Sequence, residues 1–290
     1  MMASMEPTGA PDSMQHGPGD PEWLDRFYDE YPRVEEAFKA ALGEGLHPRE
    51  PESLLYDLVR GFEFSPGSLA ADVGCGEGGH SFRLAELFAF DVTGLDPVPR
   101  HIELAQAELA ARKPELGCRL RFELGSVEAL PFENGAVDLV WCRDVLGHVA
   151  DLDRAYSEFQ RVLREDGRVL VYQMFGTDRL EPREAEWLWS TMGVVPTSAE
   201  PEQTETAIAN AGLGIDNCFD FGGEWSEWAD EQSGKSSRRL LFVSRLLRDP
   251  QRYIAQFGQA AYEIMLGDCL WHVYGMIGKL NRRAYVLSKN

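Results

Sequence analysis

The feature that most constrains the fold is a regular alternation of short apolar runs with amphipathic segments, which begins at residue 69 of this 290-residue chain. The apolar runs LAADV, DVTGLD and VDLVWC are bounded by glycine, proline or charged residues. Stretches with a helical period, such as SFRLAELFA and HIELAQAELAARK, lie between them. Strands that alternate with helices in this way form a parallel sheet with helices packed on both faces. The sequence therefore predicts a doubly wound α/β fold.

Segments outside this alternation divide the chain further. Residues 1–19 are rich in Met, Pro, Gly and Ser and predict a disordered tail. Residues 20–64 predict a cap of helices over 20–27, 32–42 and 50–60. The sheet domain is expected over 65–222 and 282–290. The intervening residues, 223–281, predict a helical lid inserted before the last strand, which is expected over 284–288.

Two lid helices have clear boundary signals. The first is predicted over 236–248, and the second begins at Asp249, a cap residue followed by a proline suited to the first helical turn. Gly267 is expected to end the second helix, because glycine is common just after a helix C-terminus. Arg238 and Arg245 are seven residues apart and share a face of the first helix. Such a pair suits a carboxylate or diphosphate, and surface ion pairs with acidic neighbours are the alternative.

Composition excludes several classes of function. With 28 Lys and Arg against 48 Asp and Glu, the chain carries −20 at pH 7, so its field repels the phosphate backbones of nucleic acids. The five cysteines form no CxxC pair and no export signal is present, which predicts a cytoplasmic protein with neither disulfides nor a metal. No apolar run approaches the ~20 residues of a membrane span, so no membrane partner is expected. The sequence leaves open whether copies assemble into a homo-oligomer.

The run ADVGCGEGGHS contains a glycine turn between a predicted strand and a predicted helix, where a doubly wound sheet binds its ligand. Gly74, Gly76 and Gly79 also fit the G-x-G-x-x-G fingerprint of dinucleotide-binding proteins. Asp72 separates the two interpretations, because a carboxylate beside the turn disfavours an anionic pyrophosphate and suits the cationic amine and sulfonium of S-adenosylmethionine. Asp96 ends the next strand, 20 residues after Gly76, and is expected to bind both hydroxyls of a ribose.

Four segments, taken together, carry a more specific signal than the glycine turn alone. They are DVGCGEGGHSFRLAE, VTGLDPVPRHIELAQ, GSVEALPFENGAVDLVWCRDVLGHVADLDRAYSEF and LREDGRVLVYQ, and they cover about residues 69–175. In type and order they resemble the motifs of class I S-adenosylmethionine-dependent methyltransferases, nearest to the ubiquinone- and menaquinone-biosynthesis branch (methyltransferase type 11). The resemblance implies a Rossmann-like, mostly parallel seven-stranded sheet, a small-molecule acceptor, and S-adenosyl-L-homocysteine as the product.

The same resemblance implies which residues bind the cofactor. Ser126 stands where similar enzymes usually have an aspartate for the adenine amine, so that contact is weaker here or passes to Glu128. Tyr28 lies in a segment that folds over the cofactor in similar enzymes, although packing onto the sheet is an equal alternative. The full set of expected cofactor-binding residues is Tyr28, Asp72, Gly74, Cys75, Gly76, Asp96, Pro97, Ser126, Val127, Glu128, Cys142 and Arg143.

The transfer step needs an aligned acceptor, and it needs a general base only where the acceptor keeps its proton until attack. His148 follows the fourth strand and has a suitable titration range, Asp144 and Glu227 are further candidates, and purely structural roles are the alternatives. Aromatic residues predict a pocket for a flat or apolar acceptor, with packing inside the lid as the alternative. The expected pocket residues are Phe175, Trp187, Trp225, Trp228, Trp271 and His272.

Two other functions stay open at this point. One is a nucleotide-dependent oxidoreductase, which the glycine turn alone would also fit. The other is a methyltransferase-like module that regulates a partner without chemistry. The sequence does not identify whether oxygen, nitrogen or carbon accepts the methyl group.

Overall fold

The computed structural model describes residues 28–30, 32, 34, 35, 37, 38, 42, 50–112 and 119–290. The chain divides into two units, Met1–His47 and Pro48–Asn290. In the first unit every described residue is helical, in agreement with the helix predicted over 32–42. The predicted tail over 1–19 and the predicted helix over 20–27 lie outside the described residues.

A seven-stranded sheet forms the centre of the second unit. Its order is β3-β2-β1-β4-β5-β7-β6, and every pair is parallel except those that β7 makes with β5 and β6. This arrangement confirms the predicted mostly parallel, doubly wound sheet. The strands are β1 (Leu69–Val73), β2 (Asp91–Asp96), β3 (Leu120–Leu124), β4 (Val137–Arg143), β5 (Leu163–Gly176), β6 (Leu213–Asp220) and β7 (Leu280–Lys289).

The strand order creates the site. From β1 the chain proceeds outward through β2 to β3 and then returns to place β4 on the other side of β1. Loops that leave the carboxyl ends of β1 and β4 therefore diverge, and a crevice opens between them, which is where ligands bind in open α/β sheets. The glycine turn follows β1, and two of the predicted catalytic candidates, Asp144 and His148, follow β4.

Helices cover both faces of the sheet. Central strands are apolar throughout because both of their faces are buried: in β4, Leu139 and Trp141 join one apolar cluster, whereas Val140 and Cys142 join the other. The helices before the lid are α1 (Pro51–Gly61), α2 (Gly79–Phe88), α3 (Pro99–Ala111), α4 (Leu152–Val162), α5 (Pro182–Met192) and α6 (Pro201–Asn210). Most of these begin with proline, which fits the first turn because its missing N–H would have no partner there.

Four helices lie between β6 and β7, as the lid prediction expects: α7 (Glu224–Ser233), α8 (Lys235–Arg248), α9 (Pro250–Phe257) and α10 (Gln259–Met276). Asp249 caps α9 by accepting a hydrogen bond from the Arg252 N–H. The prediction that Gly267 ends this helix is wrong, since α9 ends before Gly258 and Gly267 lies inside α10.

Close packing explains the glycine inside α10. A β-carbon at Gly267 would lie 2.9 Å from Cγ2 of Thr191 and 3.0 Å from Sδ of Met192. The residue therefore lets α10 approach the end of α5 instead of ending a helix. Among the described residues, no helix combines the length and apolar character needed to cross a bilayer.

Candidate active site

The glycine turn is fixed by backbone hydrogen bonds and by the absence of a side chain. The N–H groups of Gly74 and Cys75 donate to the Leu95 carbonyl at 2.7 and 2.9 Å. Gly74 has φ +74°, and a β-carbon there would lie 2.1 Å from Cγ2 of Val145. Glycine at 74 is therefore required both by the left-handed backbone and by the close approach of the loop that follows β4.

Asp96 ties the turn to the end of β2. Its Oδ2 accepts a hydrogen bond from the Gly76 N–H at 2.9 Å, and its Oδ1 accepts one from the Val98 N–H at 2.9 Å. His101, in the first turn of α3, places Nδ1 3.0 Å from the same Oδ1. Sequence reasoning missed His101, and its position five residues after a strand-end aspartate is the signal that could have indicated it.

A cavity of about 640 Å³ opens beside this turn, a volume typical of cofactor sites. Glu128 lies in its wall, and the Ser126 hydroxyl donates to Glu128 Oε2 at 2.9 Å. Eight of the predicted cofactor-binding residues line the cavity: Gly74, Gly76, Asp96, Pro97, Ser126, Val127, Glu128 and Arg143. Sequence reasoning missed Val73, Val98, His101, Gly125, Val145, Val149 and Ala150, which contribute to the same wall.

Four predicted cofactor residues lie elsewhere. Asp72 is 2% exposed and accepts a hydrogen bond from the Ser81 hydroxyl, and burial raises its pKa to about 7. Cys75 and Cys142 are buried next to the turn, and burial raises the pKa of both thiols. Tyr28 belongs to the separate N-terminal unit. A cofactor contact of these four residues stays a prediction.

Asp144, directly after β4, has a strained backbone. Its φ is +56°, which non-glycine residues adopt rarely, and its N–H donates to the Tyr172 carbonyl at 2.8 Å. The carboxylate is about half exposed and lines the cavity, and partial desolvation by the surrounding protein raises its pKa. The positive charges of Arg143 and Arg282 act in the opposite direction.

Arg143 is held by a histidine, a carboxylate and an aromatic ring. Its guanidinium donates to Nε2 of His80, lies 3.7 Å from Oδ2 of Asp144, and stacks over the ring of Trp225 with 4.9 Å to the centroid. Burial lowers the pKa of His80 to about 3, so this ring is neutral and its Nδ1, 2.6 Å from the Tyr56 hydroxyl, carries the proton. These contacts place the guanidinium at the edge of the cavity.

A second cavity of about 310 Å³ adjoins the first, and Asp144 and His148 line both. His148 Nδ1 donates to the Gly193 carbonyl at 2.8 Å, which leaves Nε2 of the neutral ring as a proton acceptor. The predicted acceptor residues Trp271 and His272 line this second cavity, and burial lowers the pKa of His272 to about 4. Gln173, Met174, Met192, Val194 and Asp268, which sequence reasoning missed, complete most of its wall.

The other predicted acceptor residues lie outside that wall. Phe175 is 1% exposed and packs edge-on against Tyr285 in the core below the sheet. Trp225 packs against Tyr172, with 5.2 Å between ring centroids, and Trp187 packs among the lid helices. Trp228 and the catalytic candidate Glu227 are half-buried on α7. The structure thus brings Asp144, His148, Trp271 and His272 together and separates the rest.

The central segment of the chain is similar to known methyltransferases. Residues 71–171 match the family described as "Methyltransferase domain". Sterol 24-C-methyltransferase ERG6B of Gibberella zeae is 31% identical over 121 residues, which are 42% of this chain and 31% of the relative. Phosphoethanolamine N-methyltransferase 3 of Arabidopsis thaliana is 28% identical over 134 residues, 46% of this chain and 26% of the relative. The chain therefore spans about a third or less of these relatives.

Solved structures share the fold. Phosphoethanolamine N-methyltransferase 2 of Haemonchus contortus, in complex with phosphomonomethylethanolamine and S-adenosylhomocysteine, has a TM-score of 0.62 at 21% identity, with 82% of this chain and 52% of that chain covered. A putative sarcosine dimethylglycine methyltransferase from Galdieria sulphuraria has a TM-score of 0.63 at 15% identity, with 83% and 85% covered. At these identities the likeness establishes the fold.

Proposed function

We propose that this chain, whose residues 71–171 match the methyltransferase-domain family, transfers the methyl group of S-adenosylmethionine to a small-molecule acceptor. The observation that carries the proposal is the junction of two cavities. The larger cavity lies at the glycine turn and the smaller one beneath the lid, and Asp144 and His148 form part of both walls. A donor in one cavity and an acceptor in the other would react across this junction.

The charges of the larger cavity favour a cationic cofactor. Asp96, Glu128 and Asp144 bring three carboxylates to its wall, against the one guanidinium of Arg143. A positively charged sulfonium and amine would be stabilised there, whereas a pyrophosphate would be repelled. The charge of this wall takes the role that was predicted for Asp72, whose carboxyl group is buried and bonded to Ser81. It also disfavours the nucleotide-dependent oxidoreductase.

Different residues of the chain have different roles in the proposed reaction. When bound, the cofactor supplies an electrophilic methyl group. Asp96, already oriented by two backbone N–H groups, accepts hydrogen bonds from the ribose hydroxyls. The lid covers the acceptor with Trp271 and His272 and keeps water away from the junction. His148 receives a proton at Nε2 where the acceptor loses one on attack.

The overall charge and the size of the smaller cavity limit the acceptor. A net charge of −20 disfavours nucleic acids, and about 310 Å³ beneath the lid suits a compact molecule. We include a cytoplasmic location in the same proposal. We also include the division into a sheet domain over 65–222 and 282–290 and an acceptor lid over 223–281.

Calorimetry with a matched pair of glycine variants tests the proposal. The unmodified chain is expected to bind S-adenosylhomocysteine and not NADH. Gly74→Ala places a β-carbon against Val145 in the cavity wall and is expected to weaken that binding about tenfold or more. Gly67→Ala is the control, because Gly67 also has a positive φ, +85°, but a β-carbon there meets nothing within 4 Å.

Several outcomes would contradict the proposal. NADH binding without affinity for S-adenosylhomocysteine would favour the oxidoreductase. Equal effects of the two alanine substitutions would show that the turn does not contact the cofactor. Tight cofactor binding without methyl transfer to any member of a broad panel of amines, phenols, carboxylates and carbon acids would favour a regulatory module.

A further inference from the structure

The lid contains a strongly basic segment in an acidic protein. Residues 235–262 include six basic residues and one acidic residue, Asp249, a local charge of +5 in a chain that carries −20. Helix α8 alone has five basic side chains and no acidic one. The other residues of the chain together carry a larger negative charge than the whole chain does, so the basic segment and the rest of the molecule have charges of opposite sign.

Three of the five basic side chains of α8 lie on one exposed face. Arg238, Leu241, Arg245 and Arg248 follow one another at intervals of three, four and three residues, so they line one side of the helix. All four are exposed. Arg239, on the opposite side, pairs with Asp268. Within the part of the chain that the structure describes, no carboxylate pairs with Arg238, Arg245 or Arg248, so surface pairing does not account for them.

An apolar cavity opens beside these arginines. It measures about 490 Å³ and lies between α8, α9 and α10, with Arg245 on its wall next to Phe257 and Met265. Phe257 is 61% exposed, and Leu247 and Ile264 nearby in the chain are 57% and 58% exposed. The cavity shares no wall residue with the two cavities of the active site. It is therefore a separate feature of the lid.

We propose that the exposed side of α8, α9 and the start of α10, hereafter the lid face, docks on the surface of an anionic lipid bilayer. The arginines contact the phosphates of the headgroups, and Leu241, Phe257 and Met265 enter the boundary with the acyl chains. The acidic remainder is repelled by the same bilayer, which fixes the orientation of the bound protein.

Charge complementarity favours a bilayer over a second copy of the chain. A symmetric dimer through the lid face would bring one segment of charge +5 against another, and this repulsion opposes association. The prediction that the chain has no membrane partner rested on the lack of a spanning run and on the charge of the whole chain. Neither consideration detects a local basic, apolar surface that lies on a bilayer without crossing it.

Vesicle flotation with the intact chain tests the proposal. Vesicles of phosphatidylcholine with about one third phosphatidylglycerol are expected to bind the protein, vesicles of phosphatidylcholine alone are not, and high salt is expected to release it. Replacing Arg238, Arg245 and Arg248 together by Gln should weaken partitioning roughly 100-fold, about fivefold per arginine. The control replaces the exposed Arg60, Arg121 and Arg183 by Gln, an equal change of charge elsewhere, and should weaken it far less.

A second variant tests the apolar contribution. Leu241→Ser with Phe257→Ser removes two exposed side chains, so it should leave the thermal midpoint unchanged and weaken binding to anionic vesicles about tenfold or more. Binding of S-adenosylhomocysteine, measured on every variant, should stay unchanged, so a failure here is distinct from a failure of the proposed function.

Four outcomes would overturn the proposal. The first is equal binding to neutral and anionic vesicles, and the second is an equal loss in the arginine control variant. The third is absence of vesicle binding by the unmodified chain. The fourth is a dimer in sedimentation experiments that the lid-face substitutions dissociate, which would assign this surface to a second copy.

Discussion

Replacing Asp96 by Asn tests the part of the site on which the cofactor assignment depends most. Asp96 accepts hydrogen bonds from the N–H groups of Gly76 and Val98 and faces Nδ1 of His101. Asparagine has nearly the same shape, but it keeps one acceptor oxygen and turns the other position into a donor. One of the present donors would then face an NH₂ group, and one fewer acceptor would be left for the ribose.

The size of the effect follows from the bonds that are lost. A hydrogen bond to a charged group contributes about 1.5–3 kcal/mol, so losing one bond to the ribose should weaken binding roughly 10- to 150-fold. The mismatched donor should also lower the free energy of unfolding by about 1–3 kcal/mol. We expect the lower end of that range, because Asp96 lines an open cavity where water can act as a substitute acceptor.

Calorimetry with S-adenosylhomocysteine and a chemical unfolding curve measure the two effects separately. The control is Asp91→Asn, the same substitution at the other end of β2, where the carboxylate is half-exposed and lies 3.6 Å from Arg119. That exposed pair should contribute less than about 1 kcal/mol to stability and nothing to cofactor binding. The reasoning is refuted if Asp96→Asn is folded and binds within about threefold of the unmodified protein.

Three further predictions concern the junction, the lid and the glycine turn. His148→Gln should leave cofactor affinity unchanged and lower kcat about 100-fold or more if the ring accepts the proton, and an unchanged pH–rate profile would contradict this role. Gly267→Leu should lower the free energy of unfolding by about 1–3 kcal/mol, because the side chain must displace Met192 and Thr191; a smaller loss in urea unfolding would show that α10 can shift. Burial raises the pKa of Asp72 from 3.8 to about 7, so the folded state retains a proton that the unfolded chain has lost. The stability that this proton contributes is therefore complete below about pH 4 and is lost as the pH rises through 7, by up to about 4 kcal/mol. Asp72→Asn should reduce the dependence of the unfolding free energy on pH over this interval. An unchanged dependence on pH would contradict the raised pKa.

The sequence predicted the parts of the site that local patterns determine. Period-two and helical patterns located the strands and helices, and therefore the strand ends at which ligands bind. Gly74 and Asp96 follow from this logic, since a turn after β1 needs glycine and a ribose-binding carboxylate belongs at the end of β2. The structure places both in the wall of the larger cavity.

The acceptor side could not be predicted to the same degree, because packing between distant segments determines it. Phe175 was expected in the pocket, yet it belongs to the core cluster that contains Tyr285, whereas its neighbour Met174 belongs to the cluster beneath the lid. Neighbouring residues of a strand point to opposite faces, so an error of one residue moves a side chain across the sheet. Asp268 enters the wall from α10, and its partner Arg239 comes from α8, a pairing that no local pattern indicates.

The backbone conformation of Asp144 depends both on the local strand pattern and on packing between distant segments. Ordinary strand geometry at this position would continue β4 and change the direction of the carboxylate. Instead the residue holds a φ of +56°, and its N–H is bound to the Tyr172 carbonyl of the adjacent strand. A non-glycine residue in this region costs about 1–2 kcal/mol, which the packing of β4 against β5 must offset. The strain lies where the larger cavity meets the smaller one, so the fold stabilises an unfavourable local conformation at a point where, under the proposed function, a carboxylate faces both ligands.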